Sequence, residues 1–156
     1  MIPLEKQVVS LELAKKLKEL GVKQKSIFYW SKDKERKEFS LDMGTPSGVY
    51  WDGVWMGYRV SEEEKKTAKP CPIYSAFTVA ELGEMFPVSV ELQEETCWFD
   101  CTKTKFKYRC GYTWDHSGEV GWGRYSDAVP HAVGVADTEA DARAKMLIYL
   151  IENKLV

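Results

Sequence analysis

The segment from His131 to Val156 constrains the fold more than any other part of the chain, because it predicts a strand that leads directly into a long apolar helix. In the strand, large residues alternate with Ala132, Gly134 and Ala136, so one face carries bulk and the other is nearly bare. A bare face allows another backbone to come close. We therefore expect a neighbouring element to cover this strand at short range.

The helix that follows is expected to begin near Thr138, since Thr138 and Asp141 approximate a capping box that satisfies the unpaired amide groups at a helix start. Glu139 with Arg143, and Asp141 with Lys145, have the acid-before-base order at i,i+4 that stabilises a helix by roughly 0.2–0.5 kcal/mol per pair. Apolar residues surround almost the whole second half of the helix. A second layer, the N-terminal region or another subunit must therefore cover it.

Two further helices are expected, one after Ser10 that ends at Gly21 and one after Thr78, whose capping-box partner is Glu81. Period-two alternation predicts strands at residues 88–93, 97–102 and 105–112. Large residues indicate a short strand at 26–30, and large residues with small or glycine neighbours indicate another at 120–125. Asp52-Gly53 predicts a hairpin turn between two apolar runs, and the charged segment 31–48 is expected to be a loop. Short connections indicate antiparallel neighbours.

The predicted fold class is α+β: a mostly antiparallel, aromatic-rich sheet with helices packed on it and the C-terminal helix at the centre. A chain of 156 residues, 44% hydrophobic and 29% charged, fits one globular domain. We therefore expect residues 1–156 to form a single domain. If the chain has two lobes, the charged, proline-terminated segment 61–72 is the boundary between them.

The expected location is the cytoplasm, because the first residues lack a signal-peptide pattern and no run approaches the roughly 18 apolar residues of a membrane span. In that compartment the four cysteines are expected to be reduced thiols. The net charge of −2 argues against a strongly basic nucleic-acid coat protein.

Three segments resemble small uncharacterised proteins encoded by bacteriophages and prophages: VSLELAKKLKELGVKQKSIFYW (9–30), YSAFTVAELGEMFP (74–87) and VADTEADARAKMLIYLIENKLV (135–156). The resemblance spans most of the chain. It implies a small α+β fold and a bacterial or phage cytoplasmic setting. It offers no catalytic residues to carry over.

A zinc site is the sharpest chemical alternative, because Cys97, Cys101, Cys110 and His116 supply a Cys3His ligand set. The spacing argues against it. On one extended strand Cys97 and Cys101 are separated by roughly 13 Å, whereas thiolates on one zinc ion need to be about 4 Å apart. We favour buried thiols that pack as small apolar side chains, and we expect no metal and no cofactor.

Catalysis is not expected either. A nucleophile needs a neighbouring base, and His116 and His131 are the chain's two histidines, one in a predicted turn and one at a strand start. No phosphate-binding loop, dinucleotide fingerprint or metalloprotease motif occurs in the sequence.

The preferred function is a non-enzymatic accessory protein of a phage or prophage, acting as a protein–protein interaction or structural module. The partner is an unknown protein or a second copy of the chain, bound through the apolar C-terminal helix or an exposed tryptophan surface. Membrane association is not expected.

Nucleic-acid binding is the alternative. Lys103, Lys105, Lys107 and Arg109 are expected to form a basic stripe on one strand face, which could follow a phosphate backbone. Phe106 and Tyr108 alternate with these residues and are expected to face the other way. The lysines and the aromatic rings would then not contact one nucleic-acid strand together, so an ordinary solvated face is preferred.

Overall fold

The computed structural model describes residues 2–32, 38–44, 49–51, 54–56, 72–92, 95–113 and 133–156. In these residues lie a short 3-10 turn at Leu4–Lys6 and three α-helices: α1 (Leu11–Glu19), α2 (Val79–Met85) and α3 (Glu139–Glu152). The strands are β1 (Phe28–Ser31), β2 (Ser40–Met43), β3 (Val49–Trp51), β4 (Val54–Met56), β5 (Ile73–Ser75), β6 (Ser89–Leu92), β7 (Glu95–Lys103), β8 (Tyr108–Thr113) and β9 (Val133–Ala136).

All described strand pairs are antiparallel, as predicted, and the chain has the predicted α+β architecture. The strands are divided between a three-stranded sheet in the order β2-β1-β5 and a four-stranded sheet in the order β6-β7-β8-β9, with β3 and β4 forming a separate pair. Among the described strands, the antiparallel sheet structure that we predicted is thus divided into two main sheets and the β3–β4 pair.

Strand β2 lies inside the segment that we predicted to be a loop. It pairs with β1 from Phe28–Met43 to Ser31–Ser40. Its four residues, SLDM, alternate polar Ser40 and Asp42 with apolar Leu41 and Met43, but this short pattern follows a run of charged residues and precedes a run of turn-forming residues, which favoured a loop. The Asp52-Gly53 turn, most of the segment 61–72 and the strand predicted at 120–125 lie outside the described residues.

The helix boundaries match the local signals in the sequence. Thr78 and Glu81 form the predicted capping box at the start of α2. Gly21 has a φ of +83°, and beside it the Val22 amide donates to the Leu17 carbonyl at 3.0 Å, which closes the end of α1. Thr138 caps α3 by accepting a hydrogen bond from the Asp141 amide.

Of the two predicted ion pairs on α3, one is present: Arg143 and Glu139 are 2.7 Å apart. The prediction of an ion pair between Asp141 and Lys145 is wrong. Asp141 instead accepts a hydrogen bond at 2.8 Å from the backbone amide of Ser10, and Lys145 donates to the Val135 carbonyl. The hydrogen bond between Ser10 and Asp141 joins the starts of α1 and α3.

Helix α3 is the centre of the molecule, as predicted, and it is buried on two sides. On one side it packs with α1 and α2 in a core of buried residues: Val9, Ala14, Leu17, Phe77, Leu82, Ala140, Ala144, Leu147 and Ile148. On the other side it packs on the four-stranded sheet, where two smaller clusters hold Val90, Cys97, Cys110, Tyr112, Ala136, Ala142, Met146 and Leu150. The second layer and the N-terminal region therefore cover this helix.

The bare face of β9 is the surface on which α3 rests. A Cβ atom built on Gly134 would lie 1.9 Å from the carbonyl oxygen of Ala142. The close approach predicted from the small residues of this strand is confirmed.

No helix in the described segments is long and apolar enough to cross a membrane.

Candidate functional site

The candidate site begins at the hairpin between β7 and β8, which we call the lysine hairpin (Lys103–Tyr108). The Thr104 amide donates to the Lys107 carbonyl at 2.8 Å, and the Lys107 amide donates to Thr104 Oγ1 at 2.9 Å. Thr104 and Lys107 therefore close the turn, and Lys105 and Phe106 form its tip.

This turn corrects the predicted basic stripe. Lys105 and Lys107 lie in the turn rather than on a strand, and Lys103 belongs to β7 and pairs with Tyr108. Arg109 pairs with Thr102, the next position along, so it lies on the opposite face of the sheet from Lys103. The four basic residues do not share one strand face. The error arose because this turn contains no glycine, proline or asparagine to signal it.

The lysine hairpin forms one wall of an open cleft of about 600 Å³. Lys103, Lys105 and Lys107 line this cleft together with Phe106 and Tyr108. The expectation that the lysines and the aromatic rings face apart is therefore wrong. Phe106 is 80% exposed at the tip of the turn, where the strand rule of alternating faces does not apply.

The opposite walls come from distant parts of the chain. They are the first residues, β1, and the starts of α2 and α3, represented by Ile2, Leu4, Lys6, Gln7, Phe28, Thr78, Val79, Ala80, Asp137, Thr138 and Glu139. Neither Lys6 nor Phe28 was singled out from the sequence. Lys6 carries no signal that could have identified it, and Phe28 is one of several large residues in its strand.

These walls are held by a network centred on Glu81. Its carboxylate accepts hydrogen bonds from the Thr78 amide at 2.7 Å, the Ile27 amide at 2.8 Å and the Ser26 hydroxyl at 3.1 Å. The Val9 amide also donates to the Phe77 carbonyl at 2.9 Å. The N-terminal segment, β1 and α2 are thus joined beside the cleft by hydrogen bonds that fix their relative positions.

The charge in the cleft is mainly positive. Four lysines line it against the carboxylates of Asp137 and Glu139, and Glu139 is bound by Arg143 at 2.7 Å. Within the described part of the chain, no carboxylate forms an ion pair with Lys103, Lys105 or Lys107. Lys103 Nζ lies 5.4 Å from the centre of the Tyr108 ring, and Lys105 Nζ lies 5.2 Å from the centre of the Phe106 ring. The cleft therefore offers ammonium groups beside aromatic rings.

The cysteines form a different arrangement from the one expected. Cys101 and Cys110 lie directly opposite each other on β7 and β8, with their Cα atoms 4.0 Å apart, and they form a disulfide. The expectation that all the cysteines are reduced is corrected, because antiparallel pairing brings these two side chains into contact. Cys97 is buried on the same strand, outside the disulfide.

The alternative zinc set is not brought together in the described residues. The sulfur atoms of Cys101 and Cys110 are bonded to each other, and His116 and His131 lie outside the described segments. Across residues 2–32, 38–44, 72–92, 95–113 and 133–156, no group of three or more His, Cys, Asp or Glu side chains is placed to hold a metal ion.

Comparison of the chain with protein-family models, with curated proteins and with solved structures returned no match.

Proposed function

We propose that the protein is a non-enzymatic binding module whose cleft beside the lysine hairpin takes up a negatively charged partner. The observation that carries the proposal is the convergence of Lys103, Lys105 and Lys107 on one cleft, without an ion-paired carboxylate among the described residues. An ammonium group with no protein counter-ion keeps its charge available to a ligand. An accessory role in a phage or prophage belongs to the same proposal and rests on the sequence resemblance.

We place the binding surface at the cleft rather than at the C-terminal helix. Its apolar side chains had suggested self-association, yet Ala140, Met146, Leu147 and Leu150 are all buried within the chain. A second copy would therefore find little of that apolar surface to cover. The lysine hairpin, by contrast, is exposed, and it lines a concave site.

Nucleic acid is the first candidate for this partner, because its phosphates are negatively charged. A protein partner with an acidic segment is the second candidate. The observation in its favour is that Ile2 and Leu4, 62% and 38% exposed, line the same cleft as the lysines. A segment with both acidic and apolar side chains would complement this mixture. Both candidates require the lysines.

The test is the salt concentration at which the protein elutes from a heparin column and from a polyglutamate column. The variant replaces Lys103, Lys105 and Lys107 with Gln, which removes three charges but keeps long polar side chains. The matched control replaces Lys23, Lys25 and Lys154, which are exposed and do not line the cleft. We expect the hairpin variant to elute from at least one column at clearly lower salt than the control variant. Equal elution of the two variants from both columns would contradict the proposed function.

A further inference from the structure

We infer that the partner of the cleft is single-stranded nucleic acid, with one base stacked on Phe106 and the adjoining phosphates bound by Lys103, Lys105 and Lys107. This inference rests on the proposed function and names the class of partner. It requires a ring that is open to a ligand, ammonium groups within reach of the same ligand, and a site too small for a duplex.

Phe106 meets the first requirement. Its side chain is 80% exposed and belongs to none of the three core clusters of the described chain. It is not needed to close the turn, because Thr104 and Lys107 make the hydrogen bonds that do so. Leaving a phenylalanine in water forgoes about 1.5–3 kcal/mol of burial. A base that stacks on the ring would recover part of that free energy.

The lysines meet the second requirement. Lys105 and Lys107 flank Phe106 in sequence, and Lys103 lies on the adjoining strand, with all three on the same cleft. A nucleotide presents a flat base and a phosphate within a few bonds of each other, so one ligand can reach the ring and the ammonium groups together. An acidic peptide offers charge but no flat base for the ring.

The dimensions of the cleft favour a single strand over a duplex. A volume of about 600 Å³ matches the size of sites for small ligands, so it admits a short stretch of one strand. In a duplex the bases are stacked on one another, and their faces cannot reach Phe106.

The experiment measures binding of the whole chain to fluorescent oligothymidylate of about 12 nucleotides by anisotropy. The comparison probes are an abasic strand of the same length, the corresponding duplex and a polyglutamate peptide. We expect oligothymidylate to bind most tightly. Replacing Lys103, Lys105 and Lys107 with Gln should weaken the binding of both single strands, oligothymidylate and the abasic strand. It should also reduce the slope of log affinity against log salt concentration by about 2.

Phe106→Ala should weaken oligothymidylate binding by about 5- to 100-fold and leave abasic-strand binding unchanged. Phe106→Leu, which keeps apolar bulk without the aromatic face, should behave like the Ala variant, whereas Phe106→Trp should retain binding. Met43→Ala is the matched control, because Met43 is 79% exposed and does not line the cleft. Far-ultraviolet circular dichroism of each variant checks that the fold is intact.

Equal binding of oligothymidylate and the abasic strand, or no effect of Phe106→Ala, would overturn the inference. If the lysine variant still weakened binding, the proposed function would stand. Tighter binding of the peptide or the duplex would also overturn the inference and assign the cleft to that partner. Lysine-independent binding to every probe would remove both the inference and the proposed function.

Discussion

Gly134 and Ala142 are in direct backbone contact: a Cβ atom added to Gly134 would lie 1.9 Å from the carbonyl oxygen of Ala142 and 2.9 Å from the amide nitrogen of Met146. Both neighbours are main-chain atoms of α3, so neither can rotate away. The whole helix would have to move from β9 to make room for one methyl group.

We therefore expect Gly134→Ala to lower the free energy of unfolding by about 3 kcal/mol or more, because it separates α3 from the sheet beneath it. Urea denaturation followed by circular dichroism measures the change. Gly83→Ala is a matched control with the opposite sign. Its Cβ atom would meet only Arg143 Nη1, at 3.4 Å, in ordinary contact. Replacing glycine with alanine inside α2 should stabilise the protein by roughly 0.5–1 kcal/mol. A tolerated Gly134→Ala would contradict the packing of α3 on β9.

Asp141→Ala is expected to lower the free energy of unfolding by about 2 kcal/mol, because the partly buried Ser10 amide loses its charged acceptor. Asp141→Asn keeps an acceptor oxygen and should cost less. Lys145→Gln should not reproduce the effect, since Lys145 bonds to the Val135 carbonyl rather than to Asp141. Equal losses for Asp141→Ala and Lys145→Gln would indicate that the helix ion pair predicted from the sequence is present after all.

We expect the free energy of unfolding to fall at high pH because of Tyr112. Burial raises the pKa of its hydroxyl to about 12, and the hydroxyl donates to the Pro87 carbonyl at 2.7 Å. In the unfolded chain the same group ionises near pH 10. The folded protein therefore holds the proton more tightly, and the stabilisation, on the order of 2 kcal/mol, is complete below about pH 10 and is lost as the pH rises to about 12.

Urea denaturation at pH 9 and at pH 11.5 tests this sign. Tyr112→Phe should be less stable at pH 9 by about 1 kcal/mol, because it lacks the hydrogen bond to Pro87. At pH 11.5 the order of stability should reverse, because the loss that ionisation of Tyr112 causes, on the order of 2 kcal/mol, exceeds the contribution of the hydrogen bond to Pro87. A constant difference would show that the Tyr112 hydroxyl ionises alike in the folded and unfolded chains.

The Cys101–Cys110 disulfide closes a loop with a sequence separation of 9. Its reduction by a dithiol should lower the free energy of unfolding by about 2–3 kcal/mol, as expected for a short closed loop. Replacing both cysteines with Ser should give a similar loss and make stability insensitive to the reductant. In denatured, unreduced protein, mass spectrometry should find Cys97 alkylated and Cys101 and Cys110 protected. Alkylation of all three would show that the two strands pair without the disulfide.

Several features of the fold are predictable because their cause is local. Thr78 with Glu81 specifies the start of α2, and Gly21 specifies the end of α1 through its positive φ. The small residues around Gly134 likewise predict that a neighbouring element packs closely on β9. In each case the residues that carry the signal also make the structure.

Other features depend on partners far along the chain, and sequence patterns do not reveal those partners. Strand β5 pairs with β1 across the whole intervening segment of the chain, and Asp141 bonds to Ser10 across 131 positions. The candidate site belongs to this second kind. The run of lysines around Phe106 is visible in the sequence, but its turn is not, and neither is the cleft that it forms with Lys6 and Phe28.

The burial of α3 between two cores also has a consequence for synthesis. Residues 139–152 follow every other described helix and strand in the chain. During translation, core residues such as Leu17, Leu82 and Cys97 are synthesised before the helix that covers them. We therefore expect the nascent chain to remain partly open, and to attract chaperones, until this last helix inserts and completes both cores in one step.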